Sequence, residues 1–353
     1  MNEILAWHRN RYPLMTEADV MKLFFQGMLG CGHLLESEED VAAGVTREMQ
    51  GLSPDASVPL IEDLPGEYVR LYLAPAKAAD ISPLWIARLM LLSSPVNQSR
   101  EDVQRVLASL EDEALCGSRQ AFKACCDQLK DEHFLPSHSE QYRTAYAPAY
   151  RVISREAAQL LPALQVIAKQ LQEKPTIIIA VDGPCASGKT TFSERLSFVL
   201  GHAPVVHMDD FYVPHAMKTP ERLAQPGGNA DIERFCEEVL HPLLQKGHAS
   251  YRPYSCHFDQ LMKPVDIPSA PVTIIEGAYA LHPKTGCPYD AAFFLSVPKD
   301  VQEQRIRRRN GEQGWTAFRD RWIPLEQQYF DAFHLPNDNC VVLNFLQHAE
   351  ERS

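Results

Sequence analysis

The chain has 353 residues, 45% of them hydrophobic and 23% charged, which excludes a disordered or fibrous protein and leaves room for two domains of ordinary size. Its formal net charge of −12 works against nonspecific nucleic-acid binding, which needs a surplus of Lys and Arg, although a local basic cluster can still hold phosphate. Nine cysteines, an odd number without a C-x-x-C pair, fit reduced thiols better than a disulfide framework. The opening "MNEILAWHRNRYPLM" lacks the apolar core of a secretion signal, and no apolar run is long enough to cross a bilayer. The expectation is a cytoplasmic protein with neither nucleic acid nor membrane as partner. A homo-oligomer stays open.

In chain order, residues 1–155 read as a mainly helical α+β domain. "EADVMKLFFQGMLG" places Val20, Leu23, Phe24 and Met28 near helical spacing. "EDVQRVLASLEDEAL" follows Ser99 as an N-cap and repeats apolar residues every three or four positions. "EYVRLYLA" alternates as a strand does. "ISREAAQLLPALQVIAKQLQEK" predicts a helix running towards Pro175, kinked or interrupted at Pro162. From Thr176 the pattern changes. Apolar strands are predicted at "TIIIAV", "PVVHM", "PVTIIEG", "AAFFLSV" and "CVVLNF", with helical stretches between them, which implies a parallel sheet covered on both faces. Residues 156–353 are therefore read as an α/β domain.

The first of those strands runs into Gly183-Pro-Cys-Ala-Ser-Gly188-Lys189-Thr190, a match to G-x-x-x-x-G-K-[ST] at every required position. Glycines let successive N–H groups turn inward, and the following helix points its positive end at the same place. Gly183, Ser187, Gly188, Lys189, Thr190 and Thr191 are the expected triphosphate-binding set. Lys189 is expected to bridge the β- and γ-phosphates and Thr190 to take a place on Mg²⁺.

The second strand ends in "HMDDFY". Asp209 there can take a proton from an attacking hydroxyl, although Asp209 or Asp210 can equally cap the next segment. Glu276, after the third strand, is placed to hold Mg²⁺ with Thr190. "VQEQRIRRRNG" puts Arg305, Arg307, Arg308 and Arg309 on one helical segment. That segment is either a solvated basic face or a group that closes over transferring phosphates. The guanine-reading N/T-K-x-D pattern and an L-S-G-G-Q signature are both absent.

Together "GPCASGKTT", "MDDFY", "GGNADIERF", "IIEGAYALHP" and "QRIRRRNG…FRDRWIPLEQQYF" resemble the uridine kinase-like branch of P-loop kinases, which includes phosphoribulokinase and bacterial pantothenate kinase. The resemblance spans roughly residues 174–345. It implies a five-stranded parallel sheet with flanking helices, and Mg-ATP-dependent phosphorylation of a small-molecule hydroxyl. It implies catalytic roles for Asp209 as general base, for Lys189, and for Arg305 and Arg308 on a mobile lid. Tyr212 would lie beside the acceptor, Asp231 would bind ribose hydroxyls, and Tyr254 with His257 would lie near the nucleobase. The family's Tyr-Asp pair reads Tyr254-Ser255 here, so uridine is the nearest named substrate; pantothenate or a sugar phosphate is the alternative acceptor. A nucleotide-controlled regulatory module without turnover is the alternative of another class.

Residues 1–155 resemble no family. A metal site from Cys31, His33 and His138 is conceivable, since thiolates and imidazoles suit zinc. No pair among them has a recognised spacing, however, and the adjacent Cys125 and Cys126 cannot easily chelate one ion. Polar and aromatic residues holding a helix junction are the commoner explanation for "HSEQYRTAYAPAY". A related small-molecule step, a sensor and an oligomerisation module are the roles considered for this half.

Overall fold

The computed structural model describes residues 2–30, 37–93, 99–110, 117–131 and 133–345. The chain divides into two compact units, Met1–Leu161 and Pro162–Ser353.

In the first unit, helices surround an antiparallel sheet of three strands, β1 (Ile61–Asp63), β2 (Tyr68–Tyr72) and β3 (Tyr150–Ser154), with β2 in the middle. The helix Glu17–Leu29 buries Val20, Leu23, Phe24 and Met28, the stripe expected from their spacing. Ser99 caps the helix Arg100–Ala108 reciprocally with Asp102. Residues 111–116, the predicted continuation of that helix, lie outside the described residues. The β2 strand does not alternate. It is covered on both faces, and its buried Arg70 meets the Glu62 carboxylate at 3.0 Å and the Tyr150 ring at 4.6 Å. The helix predicted from Ile153 onward starts later, because Ile153 and Ser154 complete β3. It is also interrupted rather than kinked, as Arg155–Ala158 and Leu161–Glu173. Pro162 then occupies the first turn of the second piece, where its missing N–H costs nothing.

The second unit contains all five predicted strands, β4 (Ile177–Asp182), β5 (Val205–His207), β10 (Val272–Glu276), β11 (Ala291–Ser296) and β12 (Cys340–Asn344). They form one parallel sheet in the order β12-β11-β4-β10-β5. Every residue of β4 is buried, as a central strand covered on both faces requires. The five-stranded parallel sheet with flanking helices fits an α/β P-loop fold. After β4 the chain moves to β5 on one side, and later crosses to β11 on the other. The end of β4 is therefore a topological switch point, where a crevice opens outside the carboxyl ends of the strands.

Four further strands have no counterpart in the sequence pattern. β6 (Ala249–Tyr251) pairs with β9 (Val265–Ile267), and β7 (Tyr254–Ser255) with β8 (Gln260–Leu261). Two helices carry wide π turns, Cys236–Leu240 and Phe318–Trp322, each directly before a segment whose second residue is proline, Pro242 or Pro324. Proline in a helix lacks the N–H and crowds the preceding turn, and a π turn relieves that clash without ending the helix.

Candidate active site

The loop between β4 and the helix Lys189–Val199 is built on glycine geometry. Gly183 has φ +141°, and a Cβ there would stand 2.3 Å from the Leu295 carbonyl oxygen on β11. Gly188, φ +97°, opens the helix, whose positive end favours an anion. Lys189 folds back over the loop and donates from Nζ to the carbonyls of Gly183 and Pro184 at 2.8 and 2.9 Å.

Side chains from distant segments pin this loop. Arg305, 8% exposed, donates to the Ala186 carbonyl at 2.9 Å and to the Phe345 carbonyl at 3.2 Å. Gln302 donates to the Cys185 carbonyl at 2.9 Å, and the buried Glu326 carboxylate accepts the Cys185 N–H at 2.8 Å. Beneath the loop, the fully buried Asp182 accepts from Gly183 N–H, Leu281 N–H and the Tyr329 hydroxyl. Burial pushes the carboxyls of Asp182 and Glu326 up. Glu326 and Tyr329 are three residues apart on the helix Ile323–Phe333, so one helical face serves both.

At the ends of β5 and β10 the Thr190 hydroxyl donates to Glu276 at 3.3 Å, and His207 Nδ1 contacts the same carboxylate oxygen. That bond holds the imidazole above its ordinary pKa. A hydroxyl and a carboxylate side by side are oxygen donors of the kind Mg²⁺ takes, so the pair fits the expected ion. Asp209 and Asp210 differ in their surroundings. Asp210 accepts the Tyr251 hydroxyl at 2.7 Å, whereas Asp209 is exposed and accepts the Tyr212 hydroxyl at 2.8 Å. Burial, and then the neighbouring Asp209 charge, push the Tyr212 hydroxyl well up, which keeps it a donor.

Several of these groups line a cavity of about 850 Å³. Its wall includes Gly188, Lys189, Thr190, Thr191, Asp209, Tyr212, Glu276, Arg305 and Arg308 from the expected set. Gly183 and Ser187 are buried within the loop rather than on the wall. Asp231, Tyr254 and His257 are not among the described residues of that wall. Asp231 caps the helix Ile232–Phe235 and lies 3.7 Å from the Arg234 guanidinium. The Tyr254 hydroxyl donates to Asp259, and His257 is exposed against Phe258. Cavity residues that sequence reasoning missed include Asn229, Tyr279, Lys218, Arg321 and Glu326. All of these except Lys218 lay in segments that resemble the kinases, but nothing local in those segments marked them as cavity residues.

In the first unit, His138 bonds Asp19 and Tyr150, and among the described residues no group of three or more His, Cys, Asp or Glu is arranged to hold a metal. Cys31 and His33 lie outside the described residues. Among the described residues no helix is long and apolar enough to cross a membrane.

No family model matches the chain. Among solved structures, the chain is similar to that of a possible uridine kinase from Bacillus stearothermophilus, at 21% identity and a TM-score of 0.39, over 52% of this chain and 99% of that one.

Proposed function

We propose that residues 162–353 form a kinase that moves the γ-phosphoryl group of ATP to a hydroxyl of a small molecule, a nucleoside being the nearest named class. The observation that carries this reading is the convergence of the Lys189 loop, the Thr190–Glu276 pair and Asp209 on one cavity. A triphosphate grip alone serves a motor or a switch as well; a cavity-facing carboxylate held by Tyr212 adds a place for a second substrate's proton.

In this account the loop N–H groups and Lys189 grip the triphosphate, with Lys189 exchanging the Gly183 and Pro184 carbonyls for phosphate oxygens. Thr190 and Glu276 would hold Mg²⁺, which would supply positive charge against the triphosphate. Asp209 takes the acceptor hydroxyl's proton as that oxygen bonds to the γ-phosphorus, and the bond to the β-γ bridging oxygen breaks to leave ADP. Tyr212 fixes the Asp209 carboxylate, and Arg305 and Arg308 balance charge from the lid side. Lys218 and His215 on the same wall favour, as a second reading, an acceptor that carries its own phosphate or carboxylate.

The test is ADP formation with Mg²⁺ and ATP across nucleosides, vitamins and sugar phosphates. Acceptor-dependent ADP release with one class is expected. ATP bound but not consumed with any acceptor would contradict the kinase reading and favour a nucleotide-controlled module.

A further inference from the structure

Asn229 is 3% exposed, faces the cavity that also holds Asp209 and Tyr212, and its carboxamide oxygen has no hydrogen-bond partner. Its backbone is the opposite case. The Asn229 carbonyl accepts Val213 N–H at 3.0 Å, and Asp231 N–H donates to the Phe211 carbonyl at 2.6 Å, which ties this segment to the strand-like stretch carrying Tyr212. Arg222 clamps the carbonyls on either side, Gly228 at 3.0 Å and Ala230 at 3.2 Å. The preceding turn admits no larger residue at Gly228, where a Cβ would stand 1.8 Å from the Arg222 carbonyl oxygen.

A buried amide oxygen left unpaired is costly, and buried polar groups in native proteins are nearly always paired. Here a rigid, bonded backbone presents such an amide to a cavity. That arrangement is expected of a group reserved for a ligand, since preorganised sites carry their cost in the free protein.

We infer that the Asn229 carboxamide orients the phosphoryl acceptor, by hydrogen bonding a neutral polar group on it, a hydroxyl or an amide, close to the hydroxyl that Asp209 deprotonates. The inference rests on the kinase reading above. Asp231, two residues on, has its carboxylate engaged by Arg234, whereas the Asn229 carboxamide oxygen is unengaged. The unengaged atom is an acceptor, which matches a hydroxyl or an amide N–H and not an anion. A site built to pair such a group discriminates strongly against analogues that lack it, because the buried amide is then left unpaired again.

The test compares wild type with Asn229→Ala and with Asn229→Leu, which keeps the side chain's shape, using the acceptor found in the ADP screen. The acceptor KM is expected to rise about tenfold or more while the KM for ATP is unchanged. The ligand-free Tm is expected to hold or rise, since an unpaired buried oxygen has been removed. An unchanged acceptor KM in both variants, or a ligand-free Tm that falls in both, would overturn the assignment and leave the kinase reading standing. A wild type that consumes no ATP with any acceptor removes that reading, and the acceptor role of Asn229 with it.

Discussion

Asp19 and His138 show how one carboxylate organises the first unit. Asp19 accepts the Thr16 N–H and hydroxyl at the start of its own helix, and the Ser139 N–H and hydroxyl from far along the chain. Burial opposes its charge, but these bonds and the one from His138 outweigh burial and hold the carboxyl well below the usual range. Burial lowers His138 from the ordinary 6.5 to about 4, with the Lys22 and Arg70 charges acting the same way and the Asp19 bond opposing. The neutral ring therefore donates from Nδ1 to Asp19 at 2.9 Å, and its Nε2 lies 2.6 Å from the Tyr150 hydroxyl. Both folded pKa values lie below the unfolded ones. The stability they contribute is therefore present at neutral pH, and the His138 share is lost as pH falls from about 6.5 towards 4. A histidine resonance that titrates near 4 is expected by NMR, together with acid-weakened unfolding stability that is flattened over this window in His138→Gln. A His138 that titrates near 6.5 would contradict the arrangement. The sequence pointed to polar residues at a helix junction here, but the Asp19 partner, more than a hundred residues away, has no local signature.

The strand-loop-helix unit from β4 to Val199 was the most legible element. It combines an apolar run with a turn motif whose glycines have a steric reason. The buried β10 and mostly buried β11 were legible for a related cause, since such strands read as continuous apolar runs between turn signals, and the partly exposed edge strands β5 and β12 are apolar enough to read the same way. The short strands β1 and β6 to β9 have two or three residues each and no periodicity to detect. Glu326, Gln302 and Asp182 act on the loop only through tertiary convergence, so their residue types announce nothing in sequence. Asn229 lay in a quoted motif, but its unpaired burial is visible only once the cavity is. Gly183→Ala tests the element. With a Cβ forced onto the Leu295 carbonyl and φ at +141°, the second unit is expected to lose about 2 kcal/mol or more in urea unfolding, and ATP affinity with it. Wild-type stability in that variant would show that β4 and β11 do not approach as described.

Across the whole molecule, the acidic balance of −12 coexists with a local basic rim, where Lys189, Arg305, Arg308, Arg309 and Arg321 share one cavity. Net charge thus spoke to nonspecific nucleic-acid binding and was silent about this site. The Met1–Leu161 unit carries its own core and its own buried polar network. In the proposed reaction the Asp209 carboxylate beside the Lys189 loop makes the second unit a transferase. The most direct measurement is phosphoryl transfer by wild type and Asp209→Asn, followed by ³¹P NMR with ATP, Mg²⁺ and the acceptor, with ATP affinity measured alongside. A new phosphomonoester signal is expected from wild type, and from Asp209→Asn a rate lower by about 10²-fold or more at nearly unchanged ATP affinity. Equal rates from the two proteins would contradict the account.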